Sequence, residues 1–146
     1  MACNNCANQN VNNDTNVNNV NNDYIYNTLH RIDQIQKEAT CVNRCEGCEG
    51  GLLSQIFNTK PISIYLAGGV PFNVINPDDL ATTTNLFRIE NINGNSVILR
   101  LLVRTEGDTP TITCLNHTVV LRINCICALQ CFAPICCERC PGCTIN

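Results

Sequence analysis

The sequence predicts a mainly β protein. It should be a single β-sandwich or open-barrel domain, preceded by one amphipathic N-terminal helix, with irregular cysteine-bearing N- and C-terminal tails. Three observations predict this. Short alternating apolar and polar segments recur between residues 61 and 127, separated by Gly-, Pro- and Asn-rich turns. Residues 24–40 carry the one clear helical period. Residues 1–23 contain 11 Asn, a composition that cannot bury enough apolar surface to offset the entropy of ordering. The expected organisation is an Asn-rich arm over 1–23, a helix and cysteine turn over 24–48, a β domain over 49–134 and a cysteine-rich tail over 135–146.

In the helix, Ile25, Leu29, Ile32, Gln36 and Ala39 follow one stripe, widened by Ile35, and Asn22 or Asp23 caps the start. His30 reads as a surface or edge histidine, since no cysteine lies one helical turn away. Pro61–Leu66 alternates as a strand, Ala67–Pro71 turns, and Phe72 and Val74 alternate again. Asn76–Asp79 is a second turn; Asp78-Asp79 there reads as turn and helix cap rather than a catalytic carboxylate pair. Phe87 and Ile89 share one face, with Arg88 and Glu90 on the other. Asn93-Gly94-Asn95 marks a hairpin, because Asn-Gly accepts positive φ. In Ser96–Arg104, Val97, Leu99, Leu101 and Val103 lie on one face, while Ile98, Arg100, Leu102 and Arg104 form an amphipathic second face, expected to be half-covered by a partner. A turn at Glu106–Pro110 leads to a strand at Thr111–Cys114. A long strand over His117–Cys127 then aligns Val119, Leu121, Ile123, Cys125 and Cys127 on one face.

Charge narrows the function. Charged residues make up 14% of the chain, about half the usual share. The net charge is −3 and Lys and Arg do not cluster, which argues against nucleic acid and against an anionic membrane surface. A neutral, amide-rich surface repels its own copies weakly, which favours self-association. No stretch reaches the ~18 apolar residues of a membrane-spanning helix, and the N-terminus lacks the pattern of a signal peptide. No catalytic motif and no cofactor-binding motif is found, so the expectation is a protein that is not an enzyme and takes no cofactor. Cys114 and His117, three residues apart, are the only sequence-local thiol–imidazole pair, without a third group to orient the ring.

The 13 cysteines dominate what remains: Cys3, Cys6, Cys41, Cys45, Cys48, Cys114, Cys125, Cys127, Cys131, Cys136, Cys137, Cys140 and Cys143. The number is odd, so at least one thiol stays free, binds something or pairs with another chain. Cys41-x3-Cys45-x2-Cys48 resembles the cluster motif of radical S-adenosylmethionine enzymes, but Gly47 replaces the usual aromatic and 146 residues cannot build the required barrel. The tail has two readings. All 13 cysteines are disulfide candidates, with adjacent Cys136 and Cys137 reaching different partners. Alternatively Cys137, Cys140 and Cys143, with one earlier thiol, form a zinc site.

Ser96–Val103, Thr113-Cys114 and Val120–Pro134 resemble the spore coat protein Y/Z family of Bacillus-type bacteria, the cysteine-rich proteins of the exosporium basal layer and spore crust. The family signature C-x-C-A-I-Q-C-x-x-P is matched by Cys125, Cys127, Ala128, Leu129, Gln130, Cys131 and Pro134. The helix running into Cys41 and Cys45 is similar to the family's N-terminal helix. The resemblance covers about residues 24–134, leaving the Asn-rich arm and the Cys136–Cys143 cluster outside it. It implies a structural protein of the spore surface, made in the mother-cell cytoplasm without a signal peptide. It also implies self-assembly into a two-dimensional lattice through strand edges and intermolecular disulfides. Its partners would be its own copies and other spore coat or exosporium proteins.

Overall fold

A computed structural model describes residues 23–44 and 57–140, the side chains of 40–44 excepted. The Asn-rich arm, Cys3, Cys6, Cys45, Cys48 and Cys143 lie outside the described residues, as does the side chain of Cys41.

The chain is mainly β: one N-terminal helix packs on a curled antiparallel sheet that forms a half-barrel. Of the two architectures expected from the sequence, this is the open barrel. Helix α1 spans Tyr24–Arg44, longer than the periodic stretch. Asp23 caps it, its Oδ1 accepting the Ile25 N–H at 2.9 Å. Leu29, Ile32, Gln36 and Ala39 are buried as the period requires, but Ile35 stays 45% exposed and does not widen the core stripe. Gln36 reaches the sheet directly, donating to the Ile89 carbonyl at 2.7 Å and accepting the Lys60 N–H at 3.0 Å.

Among the described residues eight strands follow: β1 (Ile62–Leu66), β2 (Val70–Pro71), β3 (Val74–Asn76), β4 (Asp79–Thr84), β5 (Leu86–Asn93), β6 (Ser96–Thr105), β7 (Thr111–Arg122) and β8 (Ala128–Cys131). The main sheet has the order β2-β1-β5-β6-β7, with β8 also paired to β1, and β3-β4 form a separate hairpin. Gly68 and Gly69 both take positive φ, which lets Val70 fold back onto Leu66. The β5–β6 hairpin closes at Asn93↔Ser96 across Gly94, at φ +60°, as the Asn-Gly pair predicts.

Three expectations need correction. The segment after Pro77 forms strand β4, so Asp79 caps no helix; its Oδ1 accepts the Ala81 N–H at 3.3 Å inside that strand. Thr111–Cys114 and His117 onward form one continuous 12-residue strand, β7. That strand stops at Arg122, where a 3-10 turn over Ile123–Cys125 breaks the period-two face. The turn puts Ile123 and Ile126 into the core and leaves Cys125 and Cys127 half-buried outside it. The chain then crosses back to pair β8 with β1 in the register Ile62↔Cys131 to Tyr65↔Ala128.

One face of the sheet packs on the helix: Leu29 and Ile32 meet Ile62, Ile64, Phe87, Ile89, Val97 and Leu99. At about 1.5–3 kcal/mol for each fully buried large apolar side chain, this face supplies most of the hydrophobic stabilisation. The opposite face carries a second, smaller cluster of Leu102, Cys114, Cys137 and Cys140, flanked by Leu86, Ile112 and Ile135. The partner expected over the amphipathic face of β6 is therefore the chain's own C-terminal stretch.

Candidate functional site

The C-terminal stretch was expected to be an irregular tail. Its backbone is irregular, but two of its cysteines are packed: Cys137 is 1% exposed and Cys140 7%, while Glu138 and Arg139 between them are exposed. Ile135 starts the docking, exchanging backbone hydrogen bonds with Thr59 at 2.9 and 3.2 Å. The Asn58 carboxamide then holds the cysteine turn. Its Nδ2 donates to the carbonyls of Cys137 and Cys140 at 2.9 and 3.0 Å, and its Oδ1 accepts the Cys137 N–H at 2.8 Å. The Cys140 N–H closes the turn onto the Cys137 carbonyl at 3.1 Å.

Beneath the turn lies a charged shelf from β5 and β6. Arg88 is buried; its Nε donates to Thr59 Oγ1 at 2.9 Å and an η nitrogen to the Asn58 carbonyl at 3.2 Å. Glu90 Oε1 joins Arg88 at 2.9 Å and Arg100 at 2.5 Å. Burial alone would raise the Glu90 carboxyl, but the Arg100 hydrogen bond and the two guanidinium charges hold it below the usual carboxylate range. Burial likewise works against the Arg100 charge, and Glu90 more than restores it. The shelf thus carries two positive charges sharing one carboxylate, a net charge of one held in place by the Thr59, Asn58 and Leu115 oxygens that the guanidiniums also reach.

The sulfurs meet above that shelf. Cys114 on β7 is disulfide-bonded to Cys137. Cys140 is free and buried, with its Sγ 3.1 Å from Cys137 Sγ and 3.8 Å from Glu90 Oε1. Burial pushes the Cys140 thiol up; the Arg88 and Arg100 charges oppose this and Glu90 adds to it. Cys125, Cys127 and Cys136 are also in disulfides, so Cys136 and Cys137 have different partners. Cys131 is a free thiol too, but exposed. It lies on β8 at the edge of a cavity of about 730 Å3 whose wall includes Tyr24, Ile35, Phe57 and Pro134.

Of the zinc set, Cys137 and Cys140 lie side by side, but Cys137 is bonded to Cys114 and so offers no thiolate; Cys143 lies outside the described residues. Among the described residues no group of three or more His, Cys, Asp or Glu is arranged to hold a metal. Cys114 and His117 part company: the His117 Nε2 pairs with Asp78 Oδ1 at 2.8 Å, while Cys114 turns into the disulfide cluster. His30 stacks on Tyr26 with centroids 4.3 Å apart. Sequence reasoning missed Asn58, Thr59, Arg88, Glu90 and Arg100. The available signal was three charges on the faces of β5 and β6 that point away from Phe87, Ile89 and Leu99.

No protein-family model, curated protein or solved structure matches this chain. Among the described residues no helix is long and apolar enough to cross a membrane.

Proposed function

We propose that this chain is a structural protein of the bacterial spore surface, in the exosporium or outer coat, that self-assembles into a disulfide-cross-linked protective layer. The observation that carries the reading is Cys131. Among the described residues it is the exposed free thiol, it lies within the stretch that resembles the spore coat Y/Z signature, and it borders an apolar cavity.

Two further features support it. Among the described residues strand β7 ends the main sheet, with a neighbouring strand on one side only, and Val120 on it is exposed. Such an edge accepts a strand from a second copy. The low charge of the chain keeps repulsion between copies small. Function then follows from assembly rather than catalysis. Strand pairing and apolar contact tile the copies, and each intermolecular disulfide adds about 2–4 kcal/mol of resistance to separation. In a layer several bonds must break together, so the gain is also kinetic. Other spore coat or exosporium proteins with exposed thiols are partners of the same kind.

The test is electron microscopy of the purified, oxidised full chain with and without reductant, alongside metal analysis. Ordered layers that reductant dissolves, free of stoichiometric zinc, are the expected result. A soluble monomer carrying one zinc per chain would overturn the reading.

A further inference from the structure

The cysteine cluster on the charged shelf contains more than a structural disulfide. Cys137 Sγ has two sulfur neighbours: Cys114, to which it is bonded, and the free Cys140 Sγ at 3.1 Å. The Cys140 N–H to Cys137 carbonyl bond closes the intervening Glu138-Arg139 turn, bringing the two residues close enough to bridge. We infer that Cys137 is the centre of an internal thiol–disulfide exchange site, at which Cys140 displaces Cys114 and releases it as a free thiol on β7.

The step is an isomerisation. Cys140 gives up its proton to solvent water or hydroxide, since Glu90, held ionised by Arg88 and Arg100, is too weak a base to take it. Its thiolate attacks Cys137 Sγ; the Cys137–Cys140 bond forms as the Cys114–Cys137 bond breaks. The electron pair leaves on Cys114, which takes up a proton. One disulfide replaces another, so neither an oxidant nor a reductant is consumed. Cys140 is the attacking group because it is the free thiol of the three, held against the disulfide by the same Asn58 contacts that seat the turn.

The surroundings decide which form dominates. Burial keeps Cys140 protonated near neutrality, against the pull of Arg88 and Arg100 and with the help of Glu90. The Cys114–Cys137 form is therefore held until pH rises or the turn loosens. Exchange has two consequences. It unfastens the C-terminal turn from β7, leaving it held by Asn58 and by the Ile135–Thr59 backbone pair. It also exposes Cys114 to a cavity of about 340 Å3, whose wall includes Thr111, Thr113, Glu138 and Arg139. A low-molecular-weight thiol or a disulfide of that size can meet Cys114 there. The exchange does not depend on assembly; only its use to supply a second cross-linking thiol beside the open edge of β7 rests on the function proposed above.

The test uses the full oxidised chain carrying Cys131→Ser, which removes the exposed free thiol of the described residues as a competing attacker. Samples incubated without reductant at pH 7 and pH 9 are quenched with acid, alkylated and digested with trypsin. Cleavage after Arg104, Arg122 and Arg139 places Cys114, Cys137 and Cys140 in three different peptides, and the peptide 105–122 holds Cys114 as its one cysteine. Alkylation is expected to begin on Cys140 and move to Cys114, with loss at one matching gain at the other. The rate should be roughly tenfold faster for each pH unit below the thiol's titration. Adding Cys140→Ser should leave Cys114 unlabelled throughout; Cys140→Ala repeats the test if the serine form does not fold. The proposal is overturned if the label stays on Cys140, or if Cys114 becomes labelled equally fast without Cys140. Neither outcome bears on whether copies cross-link through Cys131.

Discussion

The Asn58 side chain holds the Cys137 backbone by both its polar groups, donating to its carbonyl at 2.9 Å and accepting its N–H at 2.8 Å, across 79 residues of sequence. Because Asn58 is 1% exposed, water cannot replace either bond. Asn58→Ala should cost about 2–4 kcal/mol, since it strands buried backbone groups of Cys137 and Cys140. Urea unfolding of the oxidised chain measures this. A loss under about 0.5 kcal/mol, the range of an ordinary surface change, would contradict the clamp.

Glu90 gives the fold an acid limit. Its carboxyl titrates below the usual range in the folded chain and near 4.5 in the unfolded one. The unfolded chain therefore takes up the proton first as pH falls. The stability from Glu90 is fully present above 4.5 and is lost as pH drops through the lower folded value. Glu90→Gln should flatten the stability curve on the acid side of pH 5. It should also lower stability at pH 7, where Arg88 and Arg100 lose their shared counter-charge. Urea midpoints between pH 3 and 7 check both; an unchanged acid slope would contradict the assignment.

Two positions on α1 separate folding from assembly. Leu29 is fully buried, so Leu29→Ala should cost about 2–5 kcal/mol. Ile35 is 45% exposed on the cavity beside Cys131. Ile35→Asp should leave the unfolding midpoint within about 0.5 kcal/mol of the parent but weaken assembly, seen as a rise in the concentration at which light scattering begins. Unchanged assembly would remove this cavity from the contact.

The edge of β7 admits a similar test. Val120 is 63% exposed on that strand. Val120→Lys places a charge on the edge, a change that blocks strand pairing between chains while leaving the fold intact. Layers should be lost by electron microscopy while the circular dichroism of the monomer is retained; layers of normal order would mean that copies meet elsewhere.

Most of the architecture was legible in the sequence because local signals agreed with the fold. The helical period from Leu29 to Ala39, the alternation through Phe87–Ile89 and Val97–Leu101 and the Asn-Gly hairpin all reappear. What failed was long-range. The period-two reading ran on from Arg122 to Cys127 because the residues alternate. Alternation cannot show that Ile123–Cys125 turns so that β8 reaches β1. Asp78-Asp79 reads as a cap because nothing in a short polar run reveals that Thr83 and Thr84 pair with Ile75 and Val74. The site was half legible. The cysteine cluster was plain, and the charges on β5 and β6 hinted at a cover. That the cover is the chain's own tail, seated by Asn58, depends on a contact 79 residues away that leaves no pattern in either segment.

The central claim is a layer cross-linked through Cys131, and one comparison tests it most directly. Wild-type and Cys131→Ser chains are oxidised under identical conditions, alkylated and run without reductant, with intact mass analysis of each species. The account predicts a ladder of covalent multimers in the wild type that reductant collapses to monomer. It predicts a predominantly monomeric, folded Cys131→Ser chain. A Cys131→Ser chain that forms the same ladder, or a wild type that stays monomeric under oxidation, would contradict it.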